Sequence, residues 1–225
     1  MTDLAGHPDE TAIEAILAAA RVFAVRDIVT VLDRAVEDRG LDRAVDEVVL
    51  PAMRRIGELW ATGLAGVAEE HLATTATYVW LGKVNADIPP PTLGPPVVLA
   101  SGPLDLHTLS MDCMAAILLR RGLDCRNFGA RTPTVAVVTA VRRLTPAAVI
   151  LVAHTARTRA AALQTLQAVS GCGTTTQIYY AGGAFSSAAH RRGVPGQFLG
   201  HQLGAAADLV SAATASRSGA GASVR

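Results

Sequence analysis

The sequence predicts an α-helical domain followed by a doubly wound parallel α/β domain. Residues 8–86 repeat apolar side chains at three- and four-residue spacing, which is typical of amphipathic helices. Beyond residue 96, short apolar runs alternate with amphipathic stretches, as in a parallel sheet covered by helices. The stretch NADIPPPTLGPP between the two patterns disfavours both helix and strand pairing. We therefore expect a helical bundle at 8–86, a stiff linker at 87–96 and an α/β domain at 97–212.

Three amphipathic stretches predict the helices of the first domain. The first, TAIEAILAAARVFAVRDIVTVLDRAVEDRG, ends at Gly40. The second, LDRAVDEVVLPAMRRIGELWATG, contains Pro51, which predicts a kink or a helix boundary. The third, VAEEHLATTATYVWLGKV, follows Gly63. Short connections between such helices favour antiparallel packing, so we expect a small bundle.

Five short apolar runs predict the strands of the second domain. They are PVVLAS (96–101), LDCRNFG (123–129), AAVILVAHT (147–155), TTQIYYAGG (175–183) and, more weakly, QFLG (197–200). The helices are predicted at 107–121, 133–144, 157–169, 185–192 and 203–212. This alternation indicates a doubly wound sheet of the flavodoxin kind. Residues 213–225 carry little apolar area and predict a disordered tail.

Composition excludes several classes of function. The chain has 20 Lys and Arg against 19 Asp and Glu, a net charge of +1, and no basic block that could neutralise phosphates. Three cysteines without CxxC spacing predict neither a disulfide framework nor a zinc site. The sequence shows no signal pattern and no apolar run long enough to cross a bilayer. We therefore expect a cytoplasmic protein that binds neither nucleic acid directly nor a membrane.

The stretch GPLDLHTLSMD, residues 102–112, follows the first predicted strand. Open parallel sheets bind ligands beyond the carboxyl ends of their strands, so this loop is a candidate site. His107 could bind a metal through one ring nitrogen while Asp105 accepts the proton of the other. One histidine cannot enclose a metal, which would have to arrive already held in a macrocycle. The alternative is that Asp105 caps a helix starting near Leu106 and His107 lies on the surface.

Two further features bear on this choice. Gly182 and Gly183 follow the fourth predicted strand, where the missing side chains would admit a flat ligand or simply form a turn. In GELWATGLAGVAEEHLAT, Trp60 ends one helix while Glu70 and His71 begin another, which directs an indole, a carboxylate and an imidazole toward one opening. The alternative is a core tryptophan with solvated glutamate and histidine.

Together these residues resemble the cobalamin-binding proteins that have a helical cap and a Rossmann-like domain. The signature of that family begins Asp/Glu-x-His-x-x-Gly after the first strand and includes a Gly-Gly pair after the fourth. The cap stretch is most similar to the CarH/LitR-type photoreceptors. The resemblance covers about residues 10–212. It implies an α plus α/β fold class: a four-helix-bundle cap followed by a flavodoxin/Rossmann-like parallel five-stranded sheet.

The resemblance also implies roles for individual residues. Adenosylcobalamin would lie between cap and Rossmann-like domain, with His107 as the lower cobalt ligand and Asp105 as the partner of that histidine. Trp60 and the Glu70–His71 pair would cover the upper face. The displaced nucleotide tail would enter between the strands. The other implied cofactor contacts lie in the loops after the strands: Thr108, Ser110, Gly129, His154, Thr155, Gly182 and Gly183.

The sequence departs from the family pattern at three places. Ser110 stands where the family has glycine, which narrows the entrance for the nucleotide tail. Ala153-His154-Thr155 replaces the usual serine-containing stretch, so Thr155 would supply any hydroxyl contact. His154 would contact the tail or a second chromophore, or would face solvent. Ala61 follows Trp60, where the CarH-type photoreceptors carry the histidine that captures cobalt after photolysis.

The resemblance implies a light sensor rather than an enzyme. No helix-turn-helix precedes the cap, so the signal would pass to an unidentified downstream protein or enzyme, or through a homo-oligomer. The photocobilins, stand-alone relatives of this kind, make biliverdin a candidate second chromophore. The alternative is a corrinoid shuttle subunit that carries a methyl group between methyltransferases. Trp60 and the Glu70–His71 pair favour the sensor, because a methyl carrier must leave its upper face reachable.

Overall fold

The computed structural model describes residues 8–91 and 93–222. The chain divides into two compact units, with the division between Asp87 and Ile88. The described part of the first unit is α-helical, and the second unit is built on a five-stranded parallel sheet with helices. The predicted fold class is therefore confirmed.

The described residues of the helical unit form four helical rods. They are α1 (Pro8–Arg21), α2 (Val25–Arg39), a continuous rod made of α3 (Leu41–Ala44), a π-helical segment (Val45–Val49) and α4 (Leu50–Ala61), and α5 (Val67–Ala86). The apolar repeat of the first stretch continues through the break between α1 and α2, so periodicity alone does not show that break. The chain turns there at Phe23, whose φ is +57°.

Pro51 lies at the start of α4, directly after the π-helical segment. Proline has no backbone N–H to donate to the preceding turn. The turn before a proline can therefore change from α-helical to π-helical hydrogen bonding at small cost. At the boundary predicted near Pro51, the helix therefore continues and changes from π-helical to α-helical.

The core of the helical unit forms where the four rods pack on one another. Its large side chains are fully buried and include Ile16, Ile28, Leu32, Ile56 and Trp80. Trp80 on α5 is thus the core tryptophan of this unit, whereas Trp60 at the end of α4 is 52% exposed. Burial of these side chains, rather than helix propensity, supplies most of the stability of such rods.

The second unit alternates strands and helices along the chain. Its elements are β1 (Leu93–Ser101), α6 (Leu109–Arg120), β2 (Leu123–Asn127), α7 (Thr134–Leu144), β3 (Ala148–Val152), α8 (Ala156–Ser170), β4 (Gln177–Ala181), a 3₁₀ turn (Gly183–Phe185), α9 (Ala188–Arg191), β5 (Gln197–Phe198) and α10 (Leu203–Ala222). All paired strands are parallel. Every residue of β3 is buried, as expected for a central strand covered on both faces.

The strand order is β2-β1-β3-β4-β5, so the order reverses between β1 and β3. The chain leaves β1 toward β2 on one side and later returns to β3 on the other side. Ser101 and Val152, the last residues of these two strands, are register partners. The loops that follow β1 and β3 therefore begin side by side at the switch point, where open α/β sheets bind ligands.

Two elements of the second unit differ from the sequence-based prediction. Strand β1 begins at Leu93, inside the predicted linker, and its register with β2 is irregular between Leu93 and Val97. That irregularity accommodates Pro95 and Pro96, which cannot donate to a ladder. The predicted helix at 185–192 is divided into the 3₁₀ turn and the four-residue α9.

The last helix extends well beyond its predicted end. Helix α10 continues through much of the predicted disordered tail, to Ala222. Thr214 is buried, and the guanidinium of Arg217 donates to the backbone carbonyl and the hydroxyl of Thr175 at 2.6 and 2.7 Å. The stretch is rich in alanine, the strongest helix former, so a few such contacts suffice to continue the helix. The rest of the predicted tail, 223–225, lies outside the described residues.

In the described ranges, no helix is both long and apolar enough to span a bilayer.

Candidate cofactor site

The loop between β1 and α6 is held in place by its neighbours in the sheet. The N–H of Gly102 donates to the carbonyl of Val152 on β3 at 2.9 Å. The carbonyl of Asp105 accepts from the N–H of Arg131 at 2.9 Å and from the hydroxyl of Ser101 at 3.1 Å. Backbone contacts to two different elements thus fix Asp105 at the carboxyl edge of the sheet.

The carboxylate of Asp105 is fully buried and accepts hydrogen bonds at both oxygens. Oδ1 accepts from the N–H of His107 at 2.9 Å and faces Nδ1 of the same residue at 2.8 Å. Oδ2 accepts from the N–H of His154 at 2.5 Å and from the hydroxyl of Thr158 at 3.2 Å, and Nδ1 of His154 lies 3.3 Å away. A buried carboxylate is tolerated only when it is paired in this way.

These contacts keep Asp105 ionised. Burial by itself would raise the pKa of this carboxyl group, since it penalises the charged form. The hydrogen bonds from His154 and His107 outweigh burial and hold the pKa of Asp105 well below its ordinary value. The site therefore contains a negative charge at neutral pH directly behind the ring of His107.

The ring of His107 presents one nitrogen outward. An ionised carboxylate can only accept, so we assign the proton of the neutral imidazole to Nδ1, which leaves a lone pair on Nε2. No group within the described ranges bonds to Nε2, and the side chain of His107 is 64% exposed. Leu104 and Leu106 beside it are each 62% exposed. An outward imidazole nitrogen among exposed apolar side chains fits a metal that is already held in a flat macrocycle.

A free metal ion fits this place less well. Asp105, His107 and His154 together offer ligand atoms that all lie within 4.8 Å of one another. However, both oxygens of Asp105 and both ring nitrogens of His154 are engaged in hydrogen bonds within the chain. Of the ligand atoms in this group, Nε2 of His107 alone is free to coordinate a metal. A metal held in a macrocycle needs one such ligand from the protein.

The helix-capping alternative for Asp105 is wrong. Helix α6 begins at Leu109 with Thr108 as its N-cap residue, three positions after Asp105. The bond from the N–H of His107 to the Asp105 side chain forms an Asx turn ahead of the helix. This turn places the imidazole outside the helix and on the carboxylate.

His154 is not a solvent-facing loop residue. Its side chain is 23% exposed, and its two ring nitrogens face Asp105 and Ser110. Oγ of Ser110 lies 2.9 Å from Nε2 of His154. Two of the positions at which the sequence departs from the signature thus contact each other. Whether Ser110 and His154 also contact a cofactor stays a prediction.

The glycine pair after β4 has a role within the chain. A Cβ on Gly182, whose φ is +100°, would lie 2.1 Å from the carbonyl oxygen of Ala153. A Cβ on Gly183 would lie 2.7 Å from the carbonyl oxygen of His154. Only glycine allows this approach, which packs the loop after β4 against the backbone that carries His154.

Gly129 supports the site from the opposite side of β1. Its carbonyl accepts from the N–H of Ser101 at 3.1 Å, and its own N–H donates to the side chain of Asn127 at 3.0 Å. The positive φ of +77° makes glycine suitable there, although a Cβ would meet open space. Gly129 thus ties the loop after β2 to the end of β1.

Sequence reasoning missed Thr158, which supplies the hydroxyl on Asp105. Thr155 begins α8 as its N-cap residue, and its N–H donates to the hydroxyl of Thr158 at 3.3 Å. The hydroxyl of Thr155 bonds to Thr158 within this turn, and Thr158 reaches the carboxylate. The predicted contact of Thr155 with the nucleotide tail stays a prediction. The available signal was the Thr-x-x-Thr spacing at the start of a helix after a strand, which resembles a capping box.

The helical unit holds the second group of predicted residues. Nδ1 of His71 lies 2.7 Å from Oε2 of Glu70, and the hydroxyl of Thr74 donates to Oε1 of Glu70 at 3.1 Å. Trp60 is half-exposed within its unit, so the core-tryptophan alternative is wrong for Trp60. That these residues contact a cofactor stays a prediction.

A family model describes the helical unit. Residues 9–84 match the model of a B12 binding domain. No curated protein matches the chain. Since the model covers about a third of the sequence, it identifies the helical unit.

Three solved structures are similar to this chain. The monomethylamine corrinoid protein of Methanosarcina barkeri aligns with a TM-score of 0.72 at 10% identity, over 89% of this chain and 97% of that chain. The methanol:cobalamin methyltransferase complex of Methanosarcina barkeri gives 0.48 at 20% identity, over 93% and 81%. A cobalamin-binding protein from Desulfitobacterium hafniense DCB-2 gives 0.45 at 18% identity, over 89% and 96%.

The class of protein follows from the fold and the family match. A helical cap followed by this five-stranded parallel sheet is the B12-binding Rossmann-like fold. The match of the helical unit to a B12 binding domain indicates a cobalamin or corrinoid cofactor. The family match indicates B12 binding in general and does not single out the CarH/LitR photoreceptors. Neither the adenosyl form of the cofactor nor biliverdin gains support from this match.

Proposed function

We propose that this chain binds a corrinoid through His107 and carries a methyl group between methyltransferases. One observation carries the binding site: the outward Nε2 of His107, backed by the buried and ionised carboxylate of Asp105. The carrier role is supported by the likeness to the monomethylamine corrinoid protein, whose fold extends over most of both chains.

The proposed chemistry divides between cofactor and chain. The corrinoid supplies a cobalt that can bind and release an alkyl group. Asp105 accepts the Nδ1 proton of His107, which fixes the ring and its tautomer and makes Nε2 a better donor. Thr158 and the N–H of His154 hold the carboxylate from its other side, so the ring cannot be displaced by rotation of Asp105.

The second candidate function is a light sensor. It is favoured by the half-exposed indole of Trp60 and by the Glu70–His71 pair, since a bulky aromatic residue can pack on an adenosyl group. Ala61 provides no imidazole next to Trp60, so a sensor of this sequence would need another way to stabilise its illuminated state.

The binding claim is tested by titrating the protein with aquacobalamin and recording absorption spectra. We expect the wild type to show the spectrum of an imidazole-ligated cobalt, and His107→Ala to lose that spectrum. The matched control is His190→Ala, which removes a histidine on α9. An unchanged ligation spectrum in His107→Ala would contradict the proposed site.

Carrier and sensor are separated by comparing methylcobalamin with adenosylcobalamin. A carrier binds the two forms with similar affinity, and illumination of the adenosyl form leaves its size in solution unchanged. A sensor prefers the adenosyl form at least tenfold, loses this preference in Trp60→Ala, and changes its size or oligomeric state after light. The second set of results would overturn the carrier proposal in favour of the sensor.

A further inference from the structure

The hydrogen bond between Ser110 and His154 crosses the crevice at the switch point of the sheet. Ser110 lies in the first turn of α6, on the chain leaving β1, and His154 lies in the loop after β3. Their side chains meet at 2.9 Å. Because β1 and β3 are adjacent strands whose connections diverge, the two residues approach from opposite sides of the crevice.

The direction of this hydrogen bond follows from the ionised carboxylate. Nδ1 of His154 lies 3.3 Å from Oδ2 of Asp105, which can only accept, so Nδ1 carries the proton. Nε2 then accepts from the hydroxyl of Ser110. The bond between the two sides of the crevice is therefore a neutral O–H···N hydrogen bond, which can open without separating charges.

The backbone of His154 is much more firmly held than its ring. Its N–H donates to Asp105 at 2.5 Å, and its carbonyl oxygen lies so close to Gly183 that no side chain would fit between them. The bond to Ser110 can therefore be broken by rotation of two side chains, while the loop after β3 stays in place.

A corrinoid bound through His107 has one bulky group on the histidine side of its ring, the lower nucleotide. Once the histidine occupies the lower position of cobalt, this nucleotide must find space on the side of the ring that faces the sheet. The switch-point crevice lies there, beside His107, since the ring centroids of His107 and His154 are 5.5 Å apart.

We propose that the Ser110–His154 hydrogen bond is a latch that selects corrinoids by their lower nucleotide. This inference rests on the proposed corrinoid binding. Cobinamide, which has no nucleotide, binds with the latch closed. Cobalamin binds only after the latch opens, so the latch weakens cobalamin binding by the strength of one neutral hydrogen bond, which corresponds to a factor of about two to ten.

The test compares cobalamin with cobinamide in the full chain. Aquacobalamin and diaquacobinamide are titrated into the wild type, Ser110→Ala and Ser110→Gly, and dissociation constants are obtained from absorption spectra. Substitutions at Ser110 are chosen because His154 also contacts Asp105. The matched control is Ser216→Ala, since Ser216 is exposed and, among the described residues, its hydroxyl donates to a carbonyl of its own helix.

We expect both Ser110 variants to bind cobalamin about two to ten times more tightly and cobinamide as tightly as the wild type. Equal changes in the dissociation constants of both corrinoids would overturn the latch. Weaker cobalamin binding in Ser110→Ala would also overturn it, because Ser110 would then contact the nucleotide. If cobinamide binds with a spectrum that depends on His107, but the Ser110 variants keep the wild-type preference between cobalamin and cobinamide, the latch alone is refuted. Failure of both corrinoids to bind the wild type would refute the proposed function together with it.

Discussion

Among the described residues, each unit contains one close carboxylate–histidine pair, and the two pairs have almost the same separation. Asp105 and His107 are 2.8 Å apart, and Glu70 and His71 are 2.7 Å apart. Their surroundings differ. Asp105 is fully buried and bonded at both oxygens, whereas Glu70 is about one-third exposed and His71 is 74% exposed.

The contrast shows that the distance within a pair says little about what the pair can do. In water, an exposed pair exchanges its hydrogen bond with solvent at small cost. In the sheet unit, the sheet edge and neighbouring loops determine where Asp105 lies, and Asp105 determines where the His107 ring points. Only the pair with the buried carboxylate can therefore hold one imidazole nitrogen in a defined direction.

The largest expected effect is on stability. Asp105→Ala leaves several buried donors without a partner, so we expect the free energy of unfolding to fall by about 3–5 kcal/mol. Urea denaturation followed by circular dichroism measures it. Glu70→Ala serves as the control and should lose less than about 1 kcal/mol. Similar losses in the two variants would remove the distinction between the pairs.

The next largest effect is expected from acid, through the carboxylate of Asp105. The folded-state pKa of Asp105 lies below its unfolded-state value, so the unfolded chain binds the proton more readily. The contribution of Asp105 to stability is thus complete above about pH 4 and is lost as the pH falls below that value. The difference in unfolding free energy between the wild type and Asp105→Asn should narrow as the pH falls from 7 to 3. Parallel curves would contradict this.

A smaller effect is expected on the affinity for cobinamide. Asp105→Asn keeps the shape of the side chain but removes the charge behind His107, which should weaken binding by about 10- to 100-fold. Absorption titration measures the dissociation constant. Cobinamide is chosen so that the nucleotide and the Ser110–His154 latch play no part. An unchanged dissociation constant would show that the carboxylate does not strengthen His107 as a ligand.

The smallest effect is expected in the exposed pair. Glu70→Gln should change the cobinamide dissociation constant by less than about twofold and the free energy of unfolding by less than about 1 kcal/mol. His71→Ala should behave in the same way. A loss of cobinamide affinity as large as that in Asp105→Asn would show that the exposed pair also takes part in corrinoid binding.

Much of the fold was predictable because its patterns are local. The apolar run at β3 lies where the strand lies, since a central parallel strand covered on both faces must be apolar throughout. The continuation of α10 to Ala222 was not predictable, because it depends on contacts between distant residues such as Arg217 and Thr175.

In the site, the sequence by itself determined the pairing of Asp105 with His107. A spacing of two residues at the end of a strand lets the Asp105 side chain accept the N–H of His107 and face its ring within one turn. Tertiary structure alone decided that this carboxylate is buried, that Thr158 and His154 hold its other oxygen, and that Ser110 meets His154. The reason is that these contacts join positions 44 to 53 residues apart, and strand order brings them together, which no local pattern encodes.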